Sequence, residues 1–388
     1  MQRLVILILA LLFAGASSAD EARPRARDLG VPFEGTPGPL NAITDVTGVA
    51  VGHETIRRDL GDNRAVRTGV TAILPRGRDS LKTMVYAGWS ALNGNGEMTG
   101  TTWVEESGFL EGPVMITNTH SVGAVHEGVI RWRIAQGDPD ATGYFWSLPV
   151  VAETWDGYLN DINGFHVRAE HAGAALDNAA PGPVAEGSVG GGTGMTCFEF
   201  KCGIGTASRL VLVGGSQYTL GVLVQANFGR RSDLHVAGIP VGSKLPLEQS
   251  EQARSATGYA PEALSSIIVV IATDAPLLPY QLKRMARRAP LGLGVTGSTA
   301  HNGSGDIFIA FSTANAAAAG GEPDAVIRSL LNEDLDGLFA ATKQATEEAI
   351  INSLVAGRDM TGDQGHVVRG LDHEALRAIL REHGRLVE

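Results

Sequence analysis

Residues 262–281, EALSSIIVVIATDAPLLPYQ, set two serines directly before the apolar run Ile267–Ala272. The run is bounded by polar and turn residues and has the length and β-branched content of a buried strand. Hydroxyls at its mouth admit two readings. One is a strand-start cap. The other is that one serine becomes a new N-terminus when the chain cuts itself there. An ordinary serine hydroxyl is a weak nucleophile that needs a neighbouring base. A serine at a free N-terminus carries that base as its own α-amine, whose unperturbed pKa of about 7.7–8 leaves a neutral fraction near pH 7. An uncut amide nitrogen cannot serve, because its lone pair is delocalised into the carbonyl. On this reading cleavage makes the catalyst: the hydroxyl attacks the preceding carbonyl, the acyl group shifts from N to O, and water hydrolyses the ester.

The chain begins MQRLVILILALLFAGASSAD, which reads as a secretory leader over residues 1–19. Arg3 supplies the positive start, Leu4 to Phe13 the apolar core, and Ser17-x-Ala19 the small-residue cleavage site. The remaining 388 − 19 = 369 residues suffice for a large core. The expected setting is periplasmic or secreted, with no membrane attachment once the leader is gone. Glycine occurs 50 times, which implies many tight turns and close backbone approaches. A net charge of −11 argues against a nucleic-acid partner and suits a substrate bearing an ammonium group. Cys197 and Cys202, the only two cysteines, could pair in an oxidising compartment or remain two buried thiols.

Along the chain, AITDVTGVAVGHETI and RTGVTAILPRG read as strands between turns, and residues 20–40 as a surface lead-in. GPVMITNTHSVG is a further strand that leads into the helical AVHEGVIRWRIAQG. RLVLVGGSQYTLGVLVQANFG is a hairpin turned at Gly214-Gly215-Ser216. Residues 230–264 are polar, turn-rich and weakly periodic, and end at the two serines. Beyond them come the helix PYQLKRMARRA, the strand GDIFIAFSTA, a helical region over roughly 323–355, and a last helix capped by Asp372. Strands interleaved with amphipathic helices predict an α/β fold.

Several common chemistries lack their signatures. The glycine-rich SVGGGTGMT (188–196) and HNGSGD (301–306) do not fit a phosphate loop or a dinucleotide unit. No G-x-S-x-G elbow is present. His53, His120, His126 and His301 lack the helical spacing of a zinc site.

Taken in order, GPLNAITDVTGVAVGH, RTGVTAILPRG, ITNTHSVGAV, ETWDGYLNDING, GGTGMTCFEFKCGIGTASR, GVLVQANFG, SIIVVIATDAPLLPYQLKRMARR and NGSGDIFIAFSTAN resemble blocks of the DmpA/BapA family of self-processing serine aminopeptidases. The resemblance spans nearly all of the mature chain. It implies a four-layer α/β/β/α sandwich of the DmpA/ornithine-acetyltransferase, N-terminal-nucleophile-like type. It also implies one catalytic domain assembled from a large subunit, 20–265, and a small subunit, 266–388, with homotetramers of such heterodimers and no metal or organic cofactor.

Residue by residue, the resemblance makes Ser266 the nucleophile, with Ser265 donating the carbonyl that is cut; relatives often carry glycine there. Ser304 becomes the second active-site serine, bridging to the Ser266 amine. Asp306 becomes the acid that stabilises the ammonium formed during attack. Asn227 matches the oxyanion-hole asparagine, and Glu153 the carboxylate that receives the substrate's free amine, with Trp155 a candidate for lining that pocket. Cys202 departs from the small residue expected. The implied reaction releases N-terminal amino acids, α- or β-amino, from peptides, amides and esters through an acyl-enzyme. Two alternatives are an ornithine-acetyltransferase-like acyl transferase, which uses a threonine nucleophile and is cytoplasmic, and an exported binding protein without chemistry. A metallopeptidase is a third.

Overall fold

A computed structural model describes residues 24–137, 142–245, 265–319 and 322–388. The expected leader, 1–19, and residues 246–264 before the two serines lie outside the described residues.

Two sheets carry the fold. The larger runs, in spatial order, Phe109–Leu110, Val85–Gly94, Gly305–Ser312, Ser266–Thr273, Ser216–Asn227 and Ile204–Val213. Ser266–Thr273 is an inner strand, parallel to Gly305–Ser312 and antiparallel to Ser216–Asn227. Both its faces are buried, as an unbroken apolar run requires. The smaller sheet runs Ala50–Gly61, Arg64–Arg78, Val114–Asn118, Val150–Thr154, the last pair parallel.

Three hydrophobic clusters separate four layers. Ile268, Val270 and Ala272 point between the sheets, where they meet Ile73, Ile116 and Ala152 of the smaller one. Ile267, Val269 and Ile271 point the other way, into a core shared with Leu338, Ala345 and Ile350 of the helix Asp336–Val355 and Leu282 of the helix Pro279–Ala286. On the far side, Val70, Ala72 and Met115 pack under Val125 and Val129 of the helix Val122–Ala135 and Ala172 and Leu176 of the helix Ala169–Asp177. The architecture is the expected α/β/β/α sandwich.

Local expectations hold in detail at two turns. The hairpin bends at Gly214 and Gly215, φ +57° and +81°, the paired left-handed conformation of a two-residue loop. Asp372 caps the last helix by accepting from the Ala375 N–H at 3.0 Å.

Two expectations are corrected. The helix assigned to 323–355 begins only at Asp336. The stretch before it is held irregular by Asn315, whose side chain bonds the backbone of Arg328 in both directions at 2.9 Å. The lead-in is also more than surface. Ala26 is buried and donates its N–H to Asn352 Oδ1 at 3.0 Å, and Arg27 pairs with the buried Glu348 at 2.7 Å.

The Cys197–Cys202 question resolves as a disulfide across a two-residue hairpin, with the Cα atoms 5.6 Å apart. The glycine-rich 188–196 stretch is a turn wedged between the sheets. A Cβ on Gly191 would stand 2.8 Å from the backbone Ile116 O, so only glycine fits there without moving the strand.

Candidate active site

Strand register assembles the serine neighbourhood. Ser266 opens its strand directly opposite Asn227 on one side and Gly305 on the other. Residues opposed in an antiparallel pair share a face, so the Ser266 hydroxyl and the Asn227 amide project together between the sheets. Ser304 and Asp306 flank Gly305. A Cβ on Gly305 would sit 2.4 Å from Asn95 O, which explains glycine at the point where the loop 95–96 crosses. The 301–304 turn is clamped from that side: Asn93 Nδ2 donates to His301 O and Asn95 Nδ2 to Gly303 O, each at 2.7 Å.

Ser265, Ser266, Asn227, Ser304, Asp306 and Glu153 are all buried, none more than 5% exposed. The Ser266 Oγ is buried with no hydrogen-bond partner. An unpaired buried hydroxyl is destabilising by about 1–3 kcal/mol, so its persistence calls for a reason other than capping. The carbonyl oxygen of Ser265, immediately upstream, accepts from the Gly305 N–H at 3.0 Å. That bond polarises the one carbonyl a self-cleaving Ser266 would attack, and supplies a donor where negative charge would develop.

Asn227 is anchored through its oxygen. Thr196 donates its N–H to Asn227 Oδ1 at 3.0 Å and its hydroxyl at 3.4 Å. With Oδ1 committed as acceptor, Nδ2 is fixed as the donor end of the amide.

Ser304 donates its hydroxyl to Asp306 Oδ1 at 2.7 Å, while Asp306 Oδ2 is buried without a partner. Burial pushes the Asp306 carboxyl up to about 6, against the opposing pull of the Ser304 hydroxyl and His301. A carboxylate with an open oxygen and a raised pKa is arranged to take up positive charge nearby.

Glu153 comes from the other sheet, on the edge strand Val150–Thr154. The loop that covers this edge donates the Glu97 N–H to Glu153 Oε1 at 3.0 Å, and the Thr119 hydroxyl donates to Oε2. Burial raises its pKa, while the Thr119 and Glu97 hydrogen bonds work the other way. Glu153 reaches the serine strands through Gly96: a Cβ there would lie 3.3 Å from Glu153 Oε1 and 3.2 Å from Gly305 Cα. Trp155 lies past the strand end, half-buried, and its indole folds over Gly157.

The structure thus gathers Ser266, Asn227, Ser304, Asp306 and Glu153 around one strand mouth. Sequence reasoning missed Thr196, Thr119 and the Gly305 N–H. Both threonines lie within blocks that carried the family resemblance, yet nothing local marks them as supports.

Residues 41–368 match the sequence profile of peptidase family S58. The chain is 55% identical to the β-peptidyl aminopeptidase BapA of Sphingosinicella microcystinivorans, the match covering 98% of this chain and 97% of that one. It is 48% identical to the β-peptidyl aminopeptidase BapA of Sphingosinicella xenopeptidilytica, covering 97% and 95%. Among solved structures it is similar to the L-aminopeptidase D-Ala-esterase/amidase of Ochrobactrum anthropi, described as a variant of the Ntn hydrolase fold. There the TM-score is 0.86 at 49% identity, covering 94% of this chain and 100% of that one. A Burkholderia sp. β-aminopeptidase gives 0.82 at 48% identity, covering 93% and 99%.

Proposed function

The chain belongs to peptidase family S58, and from that premise we propose that it is a self-cleaving N-terminal serine aminopeptidase that releases β-amino residues from the N-terminus of short peptides and amides. The observation that carries this reading is the buried, unpartnered hydroxyl of Ser266, set between Asn227 and the Gly305 N–H at the mouth of an inner strand. The substrate preference follows the relatives at 55% and 48% identity, both named β-peptidyl aminopeptidases. An acetyl-transfer reaction on the same architecture is not favoured.

Maturation comes first. Ser266 Oγ adds to the Ser265 carbonyl carbon, the Gly305 N–H holds the developing oxyanion, and the C–N bond breaks as the nitrogen takes a proton. Water then hydrolyses the ester, which leaves subunits 20–265 and 266–388 and a free amine on Ser266. In turnover that amine accepts the hydroxyl proton as Ser266 attacks the substrate carbonyl. Asn227 Nδ2 and the Gly305 N–H hold the oxyanion. Ser304 bridges to the amine, and Asp306 carries the countercharge. Glu153 receives the substrate ammonium, which restricts cleavage to the first residue. The leader pattern supports a periplasmic or secreted enzyme. The family resemblance supports a homotetramer of heterodimers.

The test is intact mass and N-terminal sequencing of wild type and Ser266→Ala. Wild type should yield two chains, the smaller one beginning Ser-Ile-Ile, and the variant one uncut chain. A fully active wild type with no terminus at 266 overturns the mechanism.

A further inference from the structure

The hairpin formed by Thr196–Cys197 and Phe200–Lys201 has no role in the chemistry above except through Thr196. It is turned by Phe198 and Glu199, with φ +48° and +65°. Both therefore sit in the left-handed region that such loops normally fill with glycine or asparagine, and which a side chain resists sterically. Other forces must hold the turn. The Cys197–Cys202 disulfide closes it from both ends. The Lys201 ammonium, wholly buried, ties Met195 O at 2.7 Å to Cys202 O at 2.6 Å.

What the closed hairpin grips is the end of the strand that carries Asn227. Both disulfide sulfurs lie 3.2 Å from Ala226 O. Thr196 holds the Asn227 side chain. The Phe198 N–H donates to Phe228 O at 2.7 Å, and the Phe198 and Phe228 rings meet edge to face at 5.1 Å. Of three consecutive residues, Ala226 thus packs its carbonyl against the sulfurs, while Asn227 is held by Thr196 and Phe228 by Phe198.

We infer that the Cys197–Cys202 disulfide is a positioning element for the oxyanion donor: it locks a sterically resisted hairpin so that Thr196 holds Asn227 Oδ1 and directs Nδ2 at the reacting carbonyl. The inference rests on the reading of Asn227 as that donor. Glu153 is carried by the other sheet, so substrate capture is independent of the hairpin.

The experiment compares full-length wild type, Cys197→Ser/Cys202→Ser and Cys197→Ala/Cys202→Ala, each alone and combined with Asn227→Ala. Turnover of a β-homoalanine p-nitroanilide is normalised to the fraction bearing an N-terminus at 266. Without the bridge, kcat should fall by roughly 10- to 100-fold, the scale for a displaced catalytic donor, with KM changed less than about twofold. Hydrogen exchange at the Thr196 amide should quicken. In the Asn227→Ala background, removing the bridge should change kcat by less than about twofold.

Should the cysteine variants misfold, the mature wild type reduced with a water-soluble phosphine gives the same comparison. The phosphine takes an oxygen from water as the bridge becomes two thiols, and reoxidation by an added small-molecule disulfide, itself reduced to two thiols, should restore kcat. Unchanged kcat without the bridge overturns the inference, as does an equal fall in the Asn227→Ala background. If Asn227→Ala alone keeps wild-type kcat, the role assigned to Asn227 fails instead, and the inference with it.

Discussion

Replacing Glu153 by glutamine removes one charge and keeps the shape. Oε1 still accepts from the Glu97 N–H, and the new amide meets the Thr119 hydroxyl with donor and acceptor exchanged. What is lost is the charge-assisted hydrogen bond to the substrate ammonium, in a site only 4% exposed. Hydrogen bonds to charged groups contribute about 1.5–3 kcal/mol. At ~1.36 kcal/mol per tenfold, kcat/KM for a free N-terminal substrate should drop roughly 10- to 150-fold. Self-cleavage needs no such anchor, because Ser265 has no free amine before it. Two chains should therefore appear at the wild-type rate. Stability should hold or rise. Burial raises the Glu153 pKa, so at neutral pH the folded state bears a penalty for the charge that glutamine lacks. The assay pairs p-nitroanilide kinetics with the time course of processing by mass spectrometry and the denaturant midpoint. Loss of processing and turnover together, or a lower midpoint, would refute the reasoning and make Glu153 a structural acid.

In turnover kcat should rise with pH as the Ser266 amine gives up its proton and becomes the base, a range in which Asp306, raised to about 6 by burial in the uncut chain, is already ionised. Asp306→Asn should lower kcat and move that limb to lower pH, because the ammonium loses its countercharge; an unmoved limb assigns the countercharge elsewhere. The raised Asp306 pKa also bears on stability. The folded state prefers the proton, so stability from this group is fully present below its ordinary 3.8 and is lost as pH rises through about 6. Glu348→Ala should cost about 3–5 kcal/mol, read as a lower urea midpoint, because it strands the buried Arg209 it pairs with at 2.8 Å. An unchanged midpoint would mean that this buried ion pair contributes nothing net.

The elements that proved legible are those whose pattern is local. Ile267–Ala272 is apolar on both faces and lies inside the larger sheet, and Gly214-Gly215 supplies the left-handed pair its hairpin needs. The whole-chain family resemblance also held, because it rested on many blocks in order. What the sequence concealed depends on partners far along the chain. Residues 323–335 read as helix because nothing local shows the partner that keeps them irregular, Asn315, which bonds Arg328 from 13 residues away. Thr119 and Glu97 reach Glu153 across 34 and 56 residues, and Thr196 reaches Asn227 across 31. A spacing of five between the cysteines was equally compatible with thiols and a bridge until the hairpin set their Cα atoms 5.6 Å apart.

The division of labour between the sheets bears on substrate choice. On the proposed mechanism, the nucleophile Ser266, the oxyanion donors and the proton relay all stand on the six-stranded sheet, whereas the ammonium anchor Glu153 stands on the edge of the four-stranded one. A β-amino residue differs from an α-amino residue by one methylene between amine and carbonyl, so discrimination reduces to the separation of anchor from nucleophile. That separation is set by how closely the sheets approach. Gly96 stands at the junction, where a Cβ would meet both Glu153 Oε1 and Gly305 Cα at less than ordinary contact distance. One missing methylene is worth only about 1–3 kcal/mol of selectivity in an apolar pocket. An ammonium held by a fixed carboxylate is less forgiving, because a shortened substrate must break either the ion pair or the approach to Ser266. On the proposed mechanism, selectivity is therefore a property of the inter-sheet packing that sets Glu153 against Gly96 and Gly305, more than of any side chain lining the pocket.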